Sequence, residues 1–480
     1  MKVAATALIA ALAVLVPPGP AASVEVPDEG DCPPYPLRSQ DGEDVVAEDI
    51  VPPLFRPGEL IPIDGLERLR DYLPPEVWDR RDTFFYEGML LEVGPCHRRY
   101  PNPEFFDAAT AANAATARVD DAGNLTGFSG TGLPFRWQDI QDDEKPAGWK
   151  WAWNYRYRYQ GSGYRGDFRV THVAPRARNS EKFTGNFYLL PMHGVPGIGT
   201  RTNHDRFWAG GAFRTPPISR GIAWRQAHPT EADTKPNRSD EIWVWLPEAR
   251  RARRAAPTAV DGLYMPSHER GSTADWGRVV VPGGQFGESI ALETPDPSIA
   301  ATEHTRRGFT GLMLRPNAYY FGYTRTRDVL APINSNRYGY PADNERSYGP
   351  SGLSVGTDRW EIRRAVVLKG VRKTIEGQVA SVTLYIDALT QQPLYMITRR
   401  ANGHINEVGI MVGRFSADDP LHPKWKGSGA EFGVILPVAA TFFVAGEGGW
   451  IRESFELRSD PPSDRERSSL TSTIELQRGR

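Results

Sequence analysis

Trp149-Lys150-Trp151-Ala152-Trp153-Asn154-Tyr155-Arg156-Tyr157-Arg158-Tyr159 places a large aromatic at every odd position and a polar, charged or small residue at every even one. Successive side chains of a strand point to opposite faces. The segment therefore predicts a long strand with Trp149, Trp151, Trp153, Tyr155, Tyr157 and Tyr159 on one side and Lys150, Asn154, Arg156 and Arg158 on the other. A period of two held this long argues against a helix, which would scatter the rings around its circumference. One greasy and one wet face is the pattern of an antiparallel sheet solvated on one side. Either the protein's own core covers the rings, or part of this face lines a groove for a hydrophobic ligand.

Downstream, the same alternation recurs. Strands are expected at 167–173, 183–190, 359–369, 432–444 and 450–457, with hairpins formed by 241–246 with 250–255 and by 379–387 with 394–399. Upstream, Leu66, Leu69 and Tyr72 have helical spacing, Pro74-Pro75 ends that turn, and Pro75 opens another through Trp78. A helix is expected from Asn102 and Pro103 to about Val119, stopped by Asp121-Ala122-Gly123-Asn124. Residues 271–305 and 334–356 read as long loops. The fold class is mainly β: a large curved antiparallel sheet joined by Gly- and Pro-rich turns, with few helices. Abundant Gly (47), Pro (41) and aromatic residues in a chain of 480 agree with it.

The first residues have the parts of a secretory signal peptide: Lys2, an apolar run from Val3 to Val16, and Ala21-Ala22-Ser23 as a small-residue cleavage region. This predicts 1–23 as a signal, an extended segment with short helices over 24–100, a main domain over 101–460, and a flexible polar tail over 461–480. No stretch of the mature chain is a transmembrane candidate; the apolar run 432–445 is too short and holds Pro437. In an oxidising compartment the only two cysteines, Cys32 and Cys96, suggest a disulfide.

Lys plus Arg (57) nearly balance Asp plus Glu (59), which gives no footing for a nucleic-acid partner. The densest cluster, Arg250, Arg251, Arg253 and Arg254, is either a solvated strand edge or a docking patch for an acidic partner. No two of the nine histidines stand four apart, so no helical metal pair is offered and no cofactor is expected. Gly352-Leu353-Ser354-Val355-Gly356 has the spacing of a nucleophile elbow but lacks the strand before and the helix after it. No catalytic constellation follows, and the chain does not read as an enzyme.

Several segments in order resemble the family called domain of unknown function 1329, exported proteins described as outer-membrane lipoprotein-sorting-like. They are Asn113-Ala-Ala-Thr-Ala117, Gly132-Leu-Pro-Phe135, Trp153 to Gly161, Arg206-Phe-Trp-Ala-Gly-Gly-Ala212, Arg250 to Pro257, Trp360-Glu-Ile-Arg-Arg364 and Leu384-Tyr-Ile-Asp387. Pro134-Phe135-Arg136 stands where the family has Pro-Phe-Pro. The resemblance covers about 100–460. It implies a fold of the LolA and LolB type, an incomplete barrel whose concave side is covered by helices and holds acyl chains. It also implies periplasmic work, possible contact with the outer membrane, and partners such as a resistance-nodulation-division transporter or an outer-membrane protein. The expected function is a carrier for a hydrophobic, lipid-like ligand, with Trp151, Trp153, Tyr155, Tyr157, Trp243 and Trp245 as lining residues. The alternative is an envelope scaffold that docks through Arg250–Arg254 without a ligand.

Overall fold

The computed structural model describes residues 24–33, 37–38, 44–45, 53–173, 181–193, 204–217, 219–247, 250–254, 262–266, 313–336, 347–373, 379–421, 433–445 and 449–477. The signal-peptide segment, the 271–305 loop and residues 337–346 of the second loop lie outside them.

Among the described residues, fifteen strands form one open sheet. In chain order they are β1 (Leu60–Pro62), β2 (Leu90–Val93), β3 (Tyr164–Val173), β4 (Glu181–Pro191), β5 (Asp205–Thr215), β6 (Ala223–Pro229), β7 (Glu241–Leu246), β8 (Arg251–Arg254), β9 (Tyr319–Ala331), β10 (Arg359–Arg372), β11 (Ser381–Asp387), β12 (Pro393–Arg399), β13 (Ile405–Phe415), β14 (Ile435–Val444) and β15 (Gly449–Arg458). Two meanders compose it. β3 to β8 pair in sequence, β9 to β15 pair in sequence, and β3 joins β15 antiparallel, Phe168 opposite Phe455. The antiparallel pair β1–β2 adds at the start of β10 through one short parallel contact, Arg359 with Glu92.

Side chains from both meanders belong to a single apolar cluster. Phe168, Phe187, Ala209, Trp224 and Ile242 come from one, and Leu368, Leu384, Met396, Phe442 and Phe455 from the other. The sheet therefore curls around this cluster without closing. At its centre lies a helix, where the aromatic alternation predicted a strand. Helix α1 spans Glu104–Asn113, and α2 spans Ala147–Arg156 after Pro146. Trp151, Trp153, Tyr155 and Asn154 have no exposure at all. The period-two reading assumes one wet face. A helix enclosed on every side has none, so its rings can point in all directions. Asn154 and Lys150, which looked solvent-facing, are instead paired within the protein. Asn154 bonds the Phe135 amide and carbonyl at 3.1 and 2.8 Å. Lys150 reaches Glu144 at 2.6 Å.

Helix α2 sits hard against β9. A Cβ at Gly148 would stand 2.5 Å from the Phe321 carbonyl oxygen, so only glycine permits the approach. The Trp149 indole then donates to the Tyr319 carbonyl at 2.8 Å.

A second apolar cluster lies against β9 to β14. Phe55, Leu69, Tyr72, Val77, Phe85 and Leu91 from the N-terminal segment meet Trp360, Val367, Tyr395, Ile410 and Val412 there. Cys32 and Cys96 are bonded, with Cα atoms 5.2 Å apart. The helical spacing at 66–72 matches a 3-10 helix, Ile63–Tyr72, with Leu66, Leu69 and Tyr72 buried.

The C-terminal segment, expected as a flexible polar tail, forms two helices, α3 (Asp464–Thr471) and α4 (Thr473–Gln477). Ser463 caps α3 by accepting from the Glu466 amide. Arg165 donates to Glu466 at 3.0 Å, Tyr188 donates to the Leu470 carbonyl at 2.7 Å, and Leu476 is buried. Polar composition concealed this docking because charge pairing and the Tyr188 hydrogen bond hold it, with Leu476 the one buried apolar side chain of the two helices.

Candidate functional site at the end of helix α2

Helix α2 ends at Arg156. The chain then runs through Tyr157, Arg158, Tyr159, Gln160 and Gly161 into β3. This connection floors a cleft whose other walls are Phe105 and Phe106 of α1, Gly130 to Gly132, Leu189, Pro191 and His193 at the end of β4, Arg206 and Phe207 of β5, and Met313. About 80 Å³ of it is open to the centres of water-sized molecules. That is room for several waters.

The aromatic walls are fixed by ring contacts. Phe106 meets Tyr159 edge-on at 5.2 Å, and Phe128 lies 4.5 Å from Tyr157. Tyr157 is held by its hydroxyl, which donates to Asp233 at 2.6 Å, and Arg206 donates to the same carboxylate at 2.7 Å. Burial and the Asp233 charge raise the Tyr157 pKa, so its proton stays on.

Behind this wall a buried relay holds Arg156. Its guanidinium donates to the Leu314 carbonyl and to His228 Nε2, both at 2.7 Å. Arginine can only donate, so His228 Nε2 accepts and Nδ1 carries the proton that it gives to Asp240. Arg315 closes the chain at 3.4 Å from Asp240. Burial drives the His228 pKa down to about 4, so the ring is neutral near pH 7.

Arg158 lines the cleft and also a second, inner cavity, and it donates to Gln392 at 3.0 Å. The inner cavity is mostly apolar, with Met411, Leu436, Phe442 and Phe455 among its walls, and leaves about 30 Å³ for water centres. Its acidic residue, Glu453, has its pKa pushed up to about 8 by burial and, secondarily, by the nearby Glu407.

Of the residues expected to line a groove, Tyr157 borders the cleft. Trp151, Trp153 and Tyr155 are sealed within the apolar cluster and contribute no open surface. Trp243 and Trp245 are half-buried on the other face of β7 from Ile242, Val244 and Leu246, which enter the α2 cluster. They take no part in this cleft, because residues of one strand alternate sides. Arg251 to Arg254 form β8, an edge strand paired with β7. Arg254 reaches Glu241 at 3.0 Å, and Arg250 precedes the strand at positive φ. None of these arginines is among the residues of the cleft wall. His193, Gln160, Gly130 and Met313 escaped the sequence reading. The glycines around 130 and the Phe105-Phe106 pair are the signals that could have pointed to a walled cleft.

Two of the family-like segments meet in a buried ion cluster apart from the cleft. Arg363 donates to Asp387 at 2.9 and 3.1 Å and lies 3.4 Å from Glu361. Tyr100 donates to Glu361 at 2.6 Å. All four groups are filled by one another. Ser354 likewise has its Oγ occupied, accepting from the Gly356 amide at 3.1 Å.

The profile of the family described as protein of unknown function (DUF1329) matches residues 65–276. The matched span starts and stops earlier than the ordered motifs suggest. No functionally curated protein matches the chain. Among solved structures, a DUF1329 family protein from Desulfovibrio piger is 11% identical, with 69% of this chain and 99% of that one covered and a TM-score of 0.39. A domain described as a candidate outer-membrane lipoprotein-sorting protein, from Vibrio parahaemolyticus, is also 11% identical over the same shares, with a TM-score of 0.38. A LolA superfamily protein from Nitrosomonas europaea is 10% identical over 67% of this chain and 94% of that one, with a TM-score of 0.30. Among the described residues no helix is long and apolar enough to cross a membrane.

Proposed function

We propose that this protein is a non-catalytic carrier or binding protein for a hydrophobic, lipid-like molecule, working in the periplasm of a Gram-negative cell. The supporting observation is the cleft at the end of α2. There Phe105, Phe106, Tyr157, Tyr159, Phe207 and Met313 converge, and Arg158 alone belongs to both its wall and that of the apolar inner cavity. Apolar contacts of this kind would shield a hydrocarbon from water at about 0.8 kcal/mol per methylene. Six buried methylenes would then contribute about 5 kcal/mol. Aromatic and apolar walls combined with a set of placed polar groups are the usual lining of small-molecule sites. Neither cavity holds a whole acyl chain as it stands. Loading therefore involves a shift of the α2 end, or of α1, away from the sheet, and a transporter or outer-membrane protein is the partner class that would drive it.

A second reading is favoured by one observation: α2 fills the curled face with Trp151, Trp153 and Tyr155. A sheet plugged by its own helix serves equally as an envelope scaffold, docking through β8. One titration separates the two readings. Delipidated protein is mixed with a fluorescent fatty acid. Saturable binding at micromolar concentration supports the carrier, and its absence leaves the scaffold.

A further inference from the structure

Four polar atoms bordering the cleft are buried and have no hydrogen-bond partner among the described residues: Arg156 Nε, Tyr159 Oη, Gln160 Nε2 and His193 Nε2. Arg156, Tyr159 and Gln160 are each more than nine-tenths buried, at 2%, 8% and 8% exposure. Buried polar groups in native proteins are nearly always paired, so four orphans around one small space are a pattern to be explained. Three of them are obligate or available donors: a guanidinium N–H, a phenol and a carboxamide NH2. The His193 ring is not a fourth donor: it donates to the Asp205 carbonyl, and since Nε2 is the unpartnered nitrogen, Nδ1 carries the proton of the neutral ring and Nε2 can only accept.

The charge balance points the same way. The lining includes Arg156, Arg158 and Arg206 and no Asp or Glu. Asp233, the carboxylate nearest this wall in the bonding network, is taken up by Tyr157 and Arg206. The space itself is kept by glycine. At Gly130, with φ +98°, an added Cβ would stand 2.7 Å from Arg206 Nη1 and 3.1 Å from His193 Cβ, inside the cleft wall.

We infer that the cleft reads an oxyanionic headgroup: the ligand is an acidic amphiphile whose carboxylate or phosphate accepts from Arg156, Tyr159 and Gln160. This rests on the carrier reading and adds the chemical class of its cargo. Phe105, Phe106, Phe207 and Met313 take the first carbons beyond the headgroup, and Arg158 stands between that position and the inner apolar cavity.

The experiment compares a fluorescent fatty acid, the fluorescent alcohol of the same chain length, and inorganic phosphate alone, each titrated into delipidated full-length protein. A charge-assisted hydrogen bond is worth enough that the acid should bind at least about ten-fold tighter than the alcohol. The double substitution Tyr159→Phe with Gln160→Leu should erase that preference and leave alcohol binding within about two-fold. Tyr159→Phe, which removes one donor and keeps the ring, should weaken the acid by about three-fold on its own. Phosphate alone should bind at least about a hundred-fold more weakly than the acid, lacking the apolar term. Equal affinity for acid and alcohol overturns the headgroup assignment while the carrier stands. Phosphate as tight as the acid, with the alcohol unbound, overturns the lipid source and assigns a free anion. No binding of either labelled chain removes the carrier reading itself.

Discussion

Trp151 and Trp153 stand two residues apart on α2, both without exposure, yet their indole nitrogens have opposite fates. Trp153 Nε1 donates to the buried Gly123 carbonyl at 3.0 Å. Trp151 Nε1 has no partner among the described residues. Replacing either by Phe removes a similar slice of apolar surface, at most about 100 Å² or about 2.5 kcal/mol, and this cancels when the two variants are compared. What remains is the polar difference. Trp153→Phe deletes a hydrogen bond and leaves a buried carbonyl unsatisfied, which costs about 1–3 kcal/mol. Trp151→Phe removes an unpaired N–H and should recover about 1 kcal/mol. Trp153→Phe is therefore expected to be the less stable by about 2–4 kcal/mol. With an m-value near about 3 kcal/mol per molar urea, its unfolding midpoint should fall below that of Trp151→Phe by roughly 0.7–1.3 M, with the disulfide intact. Coincident midpoints, or a lower midpoint for Trp151→Phe, would refute the assignment of these two indoles and with it the enclosed placement of α2.

Glu453→Gln should stabilise the protein at pH 8 and leave it nearly unchanged at pH 4. The folded carboxyl titrates at about 8 against an ordinary 4.5, so its stabilising contribution is complete below 4.5 and is lost as pH rises through 8. Thermal melts across that window read the effect, which grows by about 1.4 kcal/mol for each pH step of one between those two values. His228 acts in the other direction: its folded pKa of about 4 lies below 6.5, so the wild type should lose stability as pH falls from 6.5 towards 4. Removing the Cys32–Cys96 bond by double Ser substitution should cost about 4 kcal/mol by chain entropy, given the separation of 64 residues, and protease sensitivity should appear first in the segment before residue 100. Arg363→Met leaves Asp387 and Glu361 buried without their cation and should cost about 3–5 kcal/mol, measured by urea unfolding.

The sheet was largely legible. Strands with one wet side, such as 167–173, and the hairpins 241–254 and 381–399 declared themselves through alternation and turn residues. Strands β5, β6, β9 and β13 did not. In β5, Gly210 and Gly211 interrupt any alternation, and they form flat floor beneath aromatic rings. A Cβ on Gly210 would meet Tyr188 Oη at 2.6 Å and one on Gly211 would meet Trp224 at 2.9 Å. In β13 the run from Asn406 to Val412 is buried throughout, so no alternation survives. The α2 segment failed for the same reason in reverse: complete burial erased helical periodicity and left a chance period of two. Part of the candidate site lay inside that segment, since Arg156 to Gln160 close its C-terminal end. The rest comes from α1, the Gly130 turn and the β4 end, which only the curl of the sheet brings together.

The junction between β3 and β15 has a bearing on how the molecule is made. Each meander can zip up from neighbours in sequence, which favours quick local pairing. The bond line that unites them waits for a strand drawn from the far end of the chain. As the chain, exported on the proposed reading, emerges from its amino end, the ten-residue β3 would present an unclaimed rim until β15 follows. A chain cut short of residue 449 would thus hold two half-sheets with nothing to weld them, and a periplasmic chaperone that shields β3 would be needed most until β15 arrives.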